Sequence, residues 1–180
     1  MTILKIDSSI TGVGSVSRQL TAATVRQLLG QDSEAEVIER DLALAPIDHL
    51  TLPAFADESV LDEFLAADTI VIGAPMYNFG VPSQLKAWID RIAIAGKTFR
   101  YIADGPEGLA GDKRVIIAVS RGGFYDSSHA LEHVETYLAG VFGFLGITPE
   151  FVRADGISIG PVERDAGIAN GLAEVERLAA

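Results

Sequence analysis

The stretch TIVIGA, residues 69–74, decides the fold class because it is a short and nearly continuous apolar run. A second run of the same kind, RVIIAV, occupies residues 114–119. A strand that is covered on both faces carries such a run, whereas a strand with one face in water alternates apolar and polar residues. Both stretches therefore predict buried strands of a parallel sheet.

Further strands and helices alternate around these two runs. Three more strand candidates lie at residues 2–7 (TILKID), 35–41 (AEVIERD) and 149–154 (PEFVRA). Apolar residues at helical spacing predict five helices. The first covers 16–29 and ends at Gly30, and the second lies near 58–67. The third begins at Pro82 and has its apolar face at Leu85, Trp88, Ile89 and Ile92; the fourth has it at Leu131, Val134, Leu138, Val141 and Phe142, and the fifth at Ile168, Leu172, Val175 and Ala179. This alternation predicts an α/β fold, in which a five-stranded parallel sheet has right-handed crossovers and helices on both faces.

The composition indicates one globular domain over residues 1–180, since a chain of this length buries about 70% of its unfolded surface in one core. The net charge of −11 argues against binding to nucleic acid or to an anionic membrane. The chain has no cysteine, which excludes disulfides, thiolate metal sites and a cysteine nucleophile. The sequence also has no stretch typical of a membrane span or a secretory signal, so we expect a soluble, cytoplasmic protein.

One connection is unusually long. Residues 95–113 (AGKTFRYIADGPEGLAGDK) join a predicted helix to a predicted strand, where a few residues would be usual. Such a segment is either mobile surface or part of a functional site. Phe99 and Tyr101 within it make a purely solvated loop the weaker interpretation.

Three loops follow strands at the edge where parallel α/β sheets bind ligands. They are SSITGVGSVS (8–17), PMYNFGVPS (75–83) and SRGGFYDSS (120–128). All three are rich in glycine, serine, asparagine or aromatic residues. The presence of three such loops at one edge of the sheet predicts a ligand site at the carboxyl ends of the first, third and fourth strands.

The first loop leads into a helix whose unpaired N–H groups and dipole favour an anion. Ser9, Ser15 and Ser17 add hydroxyl groups without adding charge, which suits a phosphate. A serine that merely caps the helix is an equal alternative. Because the loop has no lysine, a Walker-type nucleotide triphosphatase is excluded.

A dinucleotide site is a further interpretation of the same loop. GVGSVS at 12–17 matches G-x-G-x-x-G except that Ser17 stands at the third glycine, and Asp41 or Glu39 could meet a ribose. The serine weakens this match, because the third glycine lets helix and strand pack closely.

The second loop favours a flat aromatic ligand, since Tyr77 and Phe79 and the backbone N–H groups near them lie where a buried strand ends. The alternative is that both rings fold back into the core. In the third loop, Gly122 and Gly123 let the backbone approach a ligand closely. A plain turn from strand to helix would equally explain the glycine pair.

Two other motifs are weaker. GISIG at 156–160 matches the G-x-S-x-G of hydrolases, but His49, His129 and His133 all precede it, whereas the catalytic histidine of that fold follows the serine. The pair His129 and His133 belongs to H-A-L-E-H, which lacks the zinc-site pattern, and we expect both on the exposed side of a helix.

Taken together, the loops resemble those of the FMN-dependent NADH-azoreductases, which are also described as NADH:quinone oxidoreductases. The likeness rests on the serine loop at 9–17, MYNFGVPSQLKAWIDR at 76–91, GKTFRY at 96–101, SRGG at 120–123 and GFLGIT at 143–148, and it covers nearly the whole length. It implies a flavodoxin-like three-layer sandwich whose five parallel strands have the order 2-1-3-4-5.

Carried over by position, the resemblance implies a cofactor site and a substrate pocket. The FMN would be bound by Ser9, Ser15, Val16 and Ser17 at its phosphate, by Pro75, Met76, Tyr77, Asn78 and Phe79 along its ring and ribityl chain, and by Ser120, Arg121, Gly122 and Gly123 at the other edge of the ring. The substrate pocket would include Tyr101, Tyr125 and Phe144. No strict catalytic residue and no metal ligand is expected.

The resemblance further implies a ping-pong enzyme that takes a hydride from NADH or NADPH and passes two electrons to a quinone or an azo compound. It implies a homodimer, in which a partner would partly cover Trp88 and residues 95–113. A flavodoxin-like electron carrier without its own NADH site is the main alternative, and a small-molecule binding domain without flavin is another.

Two features depart from the family pattern. Val16 stands where the family commonly has glutamine, so a contact there would involve only the backbone N–H group. HLTLPAFADESV, residues 49–60, replaces a longer helical region that walls the acceptor pocket in the family.

Overall fold

The computed structural model describes residues 1–126 and 128–178. Ser127, in the third loop, and Ala179, in the last predicted helix, lie outside the described residues. The strands within the described part of the chain are β1 (Thr2–Asp7), β2 (Glu36–Asp41), β3 (Thr69–Pro75), β4 (Phe99–Ile102), β5 (Gly105–Gly108), β6 (Arg114–Ser120) and β7 (Glu150–Ala154).

Five of these strands form one parallel sheet in the order β2-β1-β3-β6-β7. In the numbering of the predicted strands this is 2-1-3-4-5, so the predicted fold class is confirmed. The observed bounds differ from the predicted ones by one residue at most. Every residue of β3 is buried, which explains why its sequence is an uninterrupted apolar run.

The helices are α1 (Val16–Gln31), α2 (Ser59–Ala66), α3 (Ser83–Ile92), α4 (Val134–Phe144) and α5 (Pro161–Arg177). The predicted end of α1 before Gly30 is wrong, because the helix continues to Gln31 and the Asp32 N–H group still donates to the Leu28 carbonyl at 3.0 Å. The start of the fourth helix at Leu131 is also wrong. The Glu132 carboxylate accepts the N–H groups of the first turn, so α4 begins at Val134 and Leu131 lies exposed ahead of it.

Two apolar clusters cover the two faces of the sheet. Phe64, Trp88 and Phe142, from α2, α3 and α4, belong to one cluster, and Leu20 and Val175, from α1 and α5, belong to the other. Trp88 is fully buried within its own chain, with its ring edge-on to Phe64 at 6.0 Å between centroids. The expectation that a partner subunit covers Trp88 is therefore wrong. No helix among the described residues is long and apolar enough to cross a bilayer.

The long connection at 95–113 is an antiparallel hairpin of β4 and β5, which the sequence analysis does not predict. The hairpin packs on the end of α4: the Phe99 ring lies 4.4 Å from that of Phe144, and Gly108 lies directly against the backbone of Gly146. A Cβ atom on Gly108 would stand 2.1 Å from the Gly146 nitrogen. A glycine is required here because the two backbones are in contact.

This contact predicts that Gly108→Ala destabilises the protein by about 3 kcal/mol, since one backbone would have to move. Gly140→Ala is the matched control, because Gly140 lies inside α4 with open space around its Cβ position. Alanine there should be neutral or stabilise by up to about 1 kcal/mol. Urea unfolding of both variants measures the difference, and equal stabilities would contradict the packing described.

Candidate functional site

The strand register brings the three predicted loops to one place. Asp7 at the end of β1 pairs with Gly73, Gly73 pairs with Ala118, and β3 and β6 end together at Pro75 and Ser120. The loops after these strands line a cleft of about 210 Å³. Nine predicted cofactor residues line it, namely Ser9, Ser15, Val16, Pro75, Met76, Tyr77, Ser120, Arg121 and Gly122.

An adjoining cavity of about 610 Å³ shares Met76 and Tyr77 with this cleft and extends to Asn78. A larger open depression of about 730 Å³ lies beside α1, next to Arg18 and Asp41. The second and third loops contribute nothing to its lining. The smaller cleft is therefore the candidate site, because all three loops meet there and, with the adjoining cavity, it has the size of an ordinary ligand pocket.

The serine loop ends in a helix cap. The Ser15 hydroxyl accepts the Arg18 N–H group at 3.2 Å and contacts the Ser17 hydroxyl at 3.1 Å. The capping interpretation is thus confirmed for Ser15, but it does not exclude anion binding. Within the described residues, the N–H groups of Val16 and Ser17 have no acceptor, so the first turn of α1 still offers two donors to an anion.

Arg18 holds the start of this loop. Its guanidinium donates to both Asp41 carboxylate oxygens, at 2.6 and 2.8 Å, and to the Ser9 carbonyl at 2.8 Å. The hydrogen bonds from Arg18 lower the pKa of Asp41. Because Asp41 is engaged in this pair and Glu39 pairs with Lys5, neither carboxylate is arranged as the ribose partner that a dinucleotide site needs.

Tyr77 joins the first loop to the second. Its hydroxyl oxygen lies 3.2 Å from the Ser9 hydroxyl and accepts the Ile10 N–H group at 3.2 Å. The Tyr77 side chain is half-buried, and Phe79 remains 40% exposed. The alternative in which both rings fold back into the core is therefore wrong.

The second loop is a tight turn with a conformation that is costly for its residues. Tyr77 and Gly80 exchange two backbone hydrogen bonds of 3.0 Å, and between them Asn78 and Phe79 have φ values of 49° and 69°. These positive values at both central positions define a type I′ turn, which asparagine tolerates and phenylalanine rarely adopts. Such strain is concentrated at functional sites, and here it keeps the Phe79 side chain at the surface next to Asn78, which lines the adjoining cavity.

The third loop is fastened by the segment after β7. The carbonyls of Arg121, Gly122 and Gly123 accept the N–H groups of Ile157, Ser158 and Gly156, each at 3.0 Å. In the described chain, the N–H groups of Gly122 and Gly123 themselves have no acceptor. A Cβ atom on Gly122 would stand 3.1 Å from the Ser158 hydroxyl, so the absence of a side chain keeps this wall of the cleft open.

Arg121 is a buried anchor, and only its backbone faces the cleft. Its guanidinium is almost completely buried and pairs with Glu132 at 3.1 Å, with Asp155 at 3.0 Å and with Glu135. Burial raises the pKa of Asp155 despite this pairing. The pKa of Glu132 is lowered, because N–H groups of α4 and Arg121 outweigh the effect of burial. A side-chain contact from Arg121 to a ligand does not fit this geometry.

The predicted substrate residues fall into two aromatic groups. Tyr125 lies edge-on to Phe79 at 6.1 Å and to His129 at 5.0 Å between ring centroids. Tyr101 and Phe144 both pack on Phe99, and Tyr101 is 73% exposed on the hairpin. Tyr125 therefore lies beside the turn of the second loop, whereas Tyr101 lies on the hairpin and Phe144 lies at the end of α4 against it.

The segment after β7 is part of the cleft, which the sequence patterns do not predict. Ile157, Ser158 and Arg164 line the cleft, and Ser158 belongs to the GISIG stretch that resembles a hydrolase motif. The available signal was position, because the fifth strand ends at the same edge of the sheet as the other loops. His129 and His133 are exposed as expected, but both precede α4 instead of lying on it.

Comparisons with known proteins agree with this fold. A family model described as a flavodoxin-like fold matches residues 1–179. An FMN-dependent NADH:quinone oxidoreductase 2 of Bradyrhizobium diazoefficiens is 54% identical over 193 residues, with 96% of each chain covered. An FMN-dependent NADH:quinone oxidoreductase of Bradyrhizobium sp. is 51% identical over 201 residues, with 100% of each covered.

Among solved structures, an azoreductase from Bacillus anthracis is similar, with a TM-score of 0.90 and 28% identity, covering 99% of this chain and 98% of that one. The chain is also shorter than the relative from Bradyrhizobium sp. The alignment to the Bradyrhizobium sp. protein has 201 positions against 180 residues here, so about 21 positions have no counterpart in this chain.

The buried position of Arg121 predicts a pH-dependent defect. Arg121→Met should destabilise the protein by about 3 kcal/mol near neutral pH, because three carboxylates lose their common cation. The loss should shrink as the pH falls toward about 5, since burial raises the pKa of Asp155 and its protonation removes part of the uncompensated charge. Urea unfolding at the two pH values measures both effects.

Arg177→Met is the matched control, because Arg177 is exposed on α5 and its nearest carboxylate contact, to Glu174, is 4.0 Å long. Its loss should change stability by less than about 0.5 kcal/mol at either pH. A destabilisation of Arg121→Met that is the same at both pH values would contradict the buried charge cluster.

Proposed function

The chain belongs to the flavodoxin-like family and to its FMN-dependent NADH:quinone oxidoreductases, and from this we propose that it binds FMN in the cleft and reduces quinones or aromatic azo compounds with NADH. The observation that carries the proposal is the meeting of three loops at one edge of the sheet, where the first and third loops have N–H groups without an acceptor among the described residues.

The serine loop suits the phosphate end of FMN. The unpaired N–H groups of Val16 and Ser17 stand at the positive end of the α1 dipole, next to the hydroxyl of Ser15. Ser9 adds a hydroxyl from the start of the loop, where Arg18 holds its carbonyl. Val16 serves this role through its backbone, so the absence of glutamine at this position leaves the anion site intact.

The other two loops suit the ring and the ribityl chain. Pro75 and Met76 line one wall, and the turn at Asn78 and Phe79 is held rigid beside it. In the third loop, Gly122 lines the cleft, and the N–H groups of Gly122 and Gly123, which have no acceptor among the described residues, are available to carbonyl oxygens of a ring. The missing side chain of Gly122 lets a planar group approach the backbone closely.

When bound, FMN supplies the redox chemistry, accepting a hydride from NADH and delivering two electrons to the acceptor. The residues of this chain bind and orient. Backbone N–H groups of the Gly122–Gly123 loop stabilise negative charge in the cleft, as donors in an oxyanion hole do. Arg121 and its three carboxylates keep that loop in position from within the protein.

Tyr101, Tyr125 and Phe144 are proposed to contact the acceptor or the nicotinamide. All three are aromatic side chains with part of their surface open to solvent, which suits stacking with flat substrates. The chain connects β2 to α2 with a largely exposed segment at 42–58 that contains no α-helix. This supports a more open acceptor pocket than a longer helical wall would create.

We further infer that the chain acts as one domain, forms homodimers and works in the cytoplasm without binding nucleic acid or membranes. The net charge of −11 supports the absence of nucleic-acid and membrane binding, since nucleic acid and anionic lipid repel such a surface. Exposed Tyr101 and Ile102 on the hairpin support a partner contact at residues 95–113. An electron carrier without an NADH site is not favoured, because the relatives are named as NADH-dependent enzymes.

The test begins with the purified protein, which should be yellow, bleach with NADH under anaerobic conditions, and turn over when a quinone is added. Asn78→Ala and Gly122→Val should each weaken FMN binding at least about tenfold, as judged by fluorescence titration. Unchanged FMN affinity in both variants would mean that the flavin lies elsewhere.

Two milder substitutions serve as controls. Asn78→Gly keeps the positive φ of the turn and removes only the carboxamide, so it separates loss of a polar contact from loss of the turn. Gly122→Ala should weaken binding less than Gly122→Val, because the added volume in the cleft is smaller.

A further inference from the structure

The segment after β7 forms a wall of the cleft that contains a cation. Gly156 to Ser158 are hydrogen-bonded to the third loop, and the chain then enters α5, whose first turn contains Arg164. The Arg164 guanidinium crosses to the serine loop and donates to the Gly14 carbonyl at 3.1 Å. Gly14 directly precedes Ser15, the cap of α1, so this cation lies beside the two unpaired N–H groups of the anion site.

The charge of Arg164 is not neutralised by any carboxylate in the part of the chain that the structure describes. Within residues 1–126 and 128–178, no carboxylate lies within 4.0 Å of its guanidinium. Arg18, at the other end of the serine loop, forms a bidentate pair with Asp41, and Arg121, the other arginine of the cleft, is paired with three carboxylates. Arg164 is thus the arginine of this cleft that retains a net positive charge for a ligand.

A dianionic phosphate needs such a charge in this chain. The net charge is −11, and the serine loop at 8–17 itself offers only neutral hydroxyl and N–H donors to the cleft, since Arg18, the cation that directly follows the loop in sequence, is neutralised by Asp41. A charge-assisted hydrogen bond from a guanidinium to a phosphate oxygen is about twice as strong as a neutral one.

We propose that Arg164 is a phosphate-binding residue of the flavin site, which pairs with the FMN phosphate and discriminates FMN from riboflavin. This inference rests on the proposed function, because it requires FMN in the cleft. It adds a charged contact from α5 to the neutral donors of the serine loop. Arg164 also orders the loop through the Gly14 carbonyl, so binding and positioning come from one side chain.

The experiment compares FMN with riboflavin, which differ only in the phosphate. Flavin-free full-length protein is titrated with each ligand, and binding is followed by flavin fluorescence. Arg164→Met should weaken FMN binding about tenfold and riboflavin binding less than about twofold. Arg164→Lys should recover part of the FMN affinity, because it restores the charge without the planar fork.

Two controls keep the outcome clear. Arg177→Met removes a cation from the exposed far end of the same helix and should leave both affinities unchanged. Arg164→Gln is measured in parallel, with thermal unfolding, so that a folding defect of the methionine variant does not decide the result. The FMN affinity of the wild type should also fall more steeply with added NaCl than that of Arg164→Met.

Each other outcome overturns the proposal in a recognisable way. Unchanged FMN affinity in Arg164→Met and Arg164→Gln would remove Arg164 from the phosphate site while leaving the proposed function intact. Equal weakening of FMN and riboflavin would assign Arg164 to loop structure alone. Failure of the wild type to bind FMN at all would overturn the proposed function together with this inference.

Discussion

The site depends on the register of the parallel strands, which places the carboxyl ends of β1, β3 and β6 close together. Because Asp7 pairs with Gly73 and Gly73 with Ala118, the loops after β1, β3 and β6 emerge within two residues of one another. Gly73 makes this possible at the crowded centre of the sheet, since a Cβ atom there would stand 3.1 Å from the Asp7 carboxylate. The Ser8 hydroxyl, which donates to the Gly73 carbonyl at 2.6 Å, fixes the first loop to the third strand.

The paired arginines Arg18 and Arg121 and the groups that face the cleft differ in charge. Arg18 and Arg121 are neutralised by carboxylates and hold loops in place from behind, whereas the groups that face the cleft are mainly neutral donors. A neutral lining costs little to desolvate and still attracts an anion through the α1 dipole. This arrangement suits a cofactor that carries a phosphate at one end and a polar-edged ring at the other.

The five strands of the parallel sheet were predictable from sequence to within one residue, most clearly β3 and β6, because burial on both faces demands apolar runs such as 69–75. The three loops were predictable for the same reason, since they follow those runs. The hairpin at 99–108 was not predictable, because it contains glycine and proline and is held by tertiary contacts of Gly108 with Gly146. The contact of Arg164 with the serine loop was also not predictable from local sequence patterns, since Arg164 and Gly14 are 150 positions apart in the sequence.

A crystal structure of the protein with FMN tests most directly whether the three loops form one cofactor site. We expect the phosphate against the N–H groups of Val16 and Ser17, and the ring between Met76–Phe79 and the Gly122–Gly123 backbone. A flavin bound in the open depression of about 730 Å³ beside Arg18 and Asp41 would contradict this account.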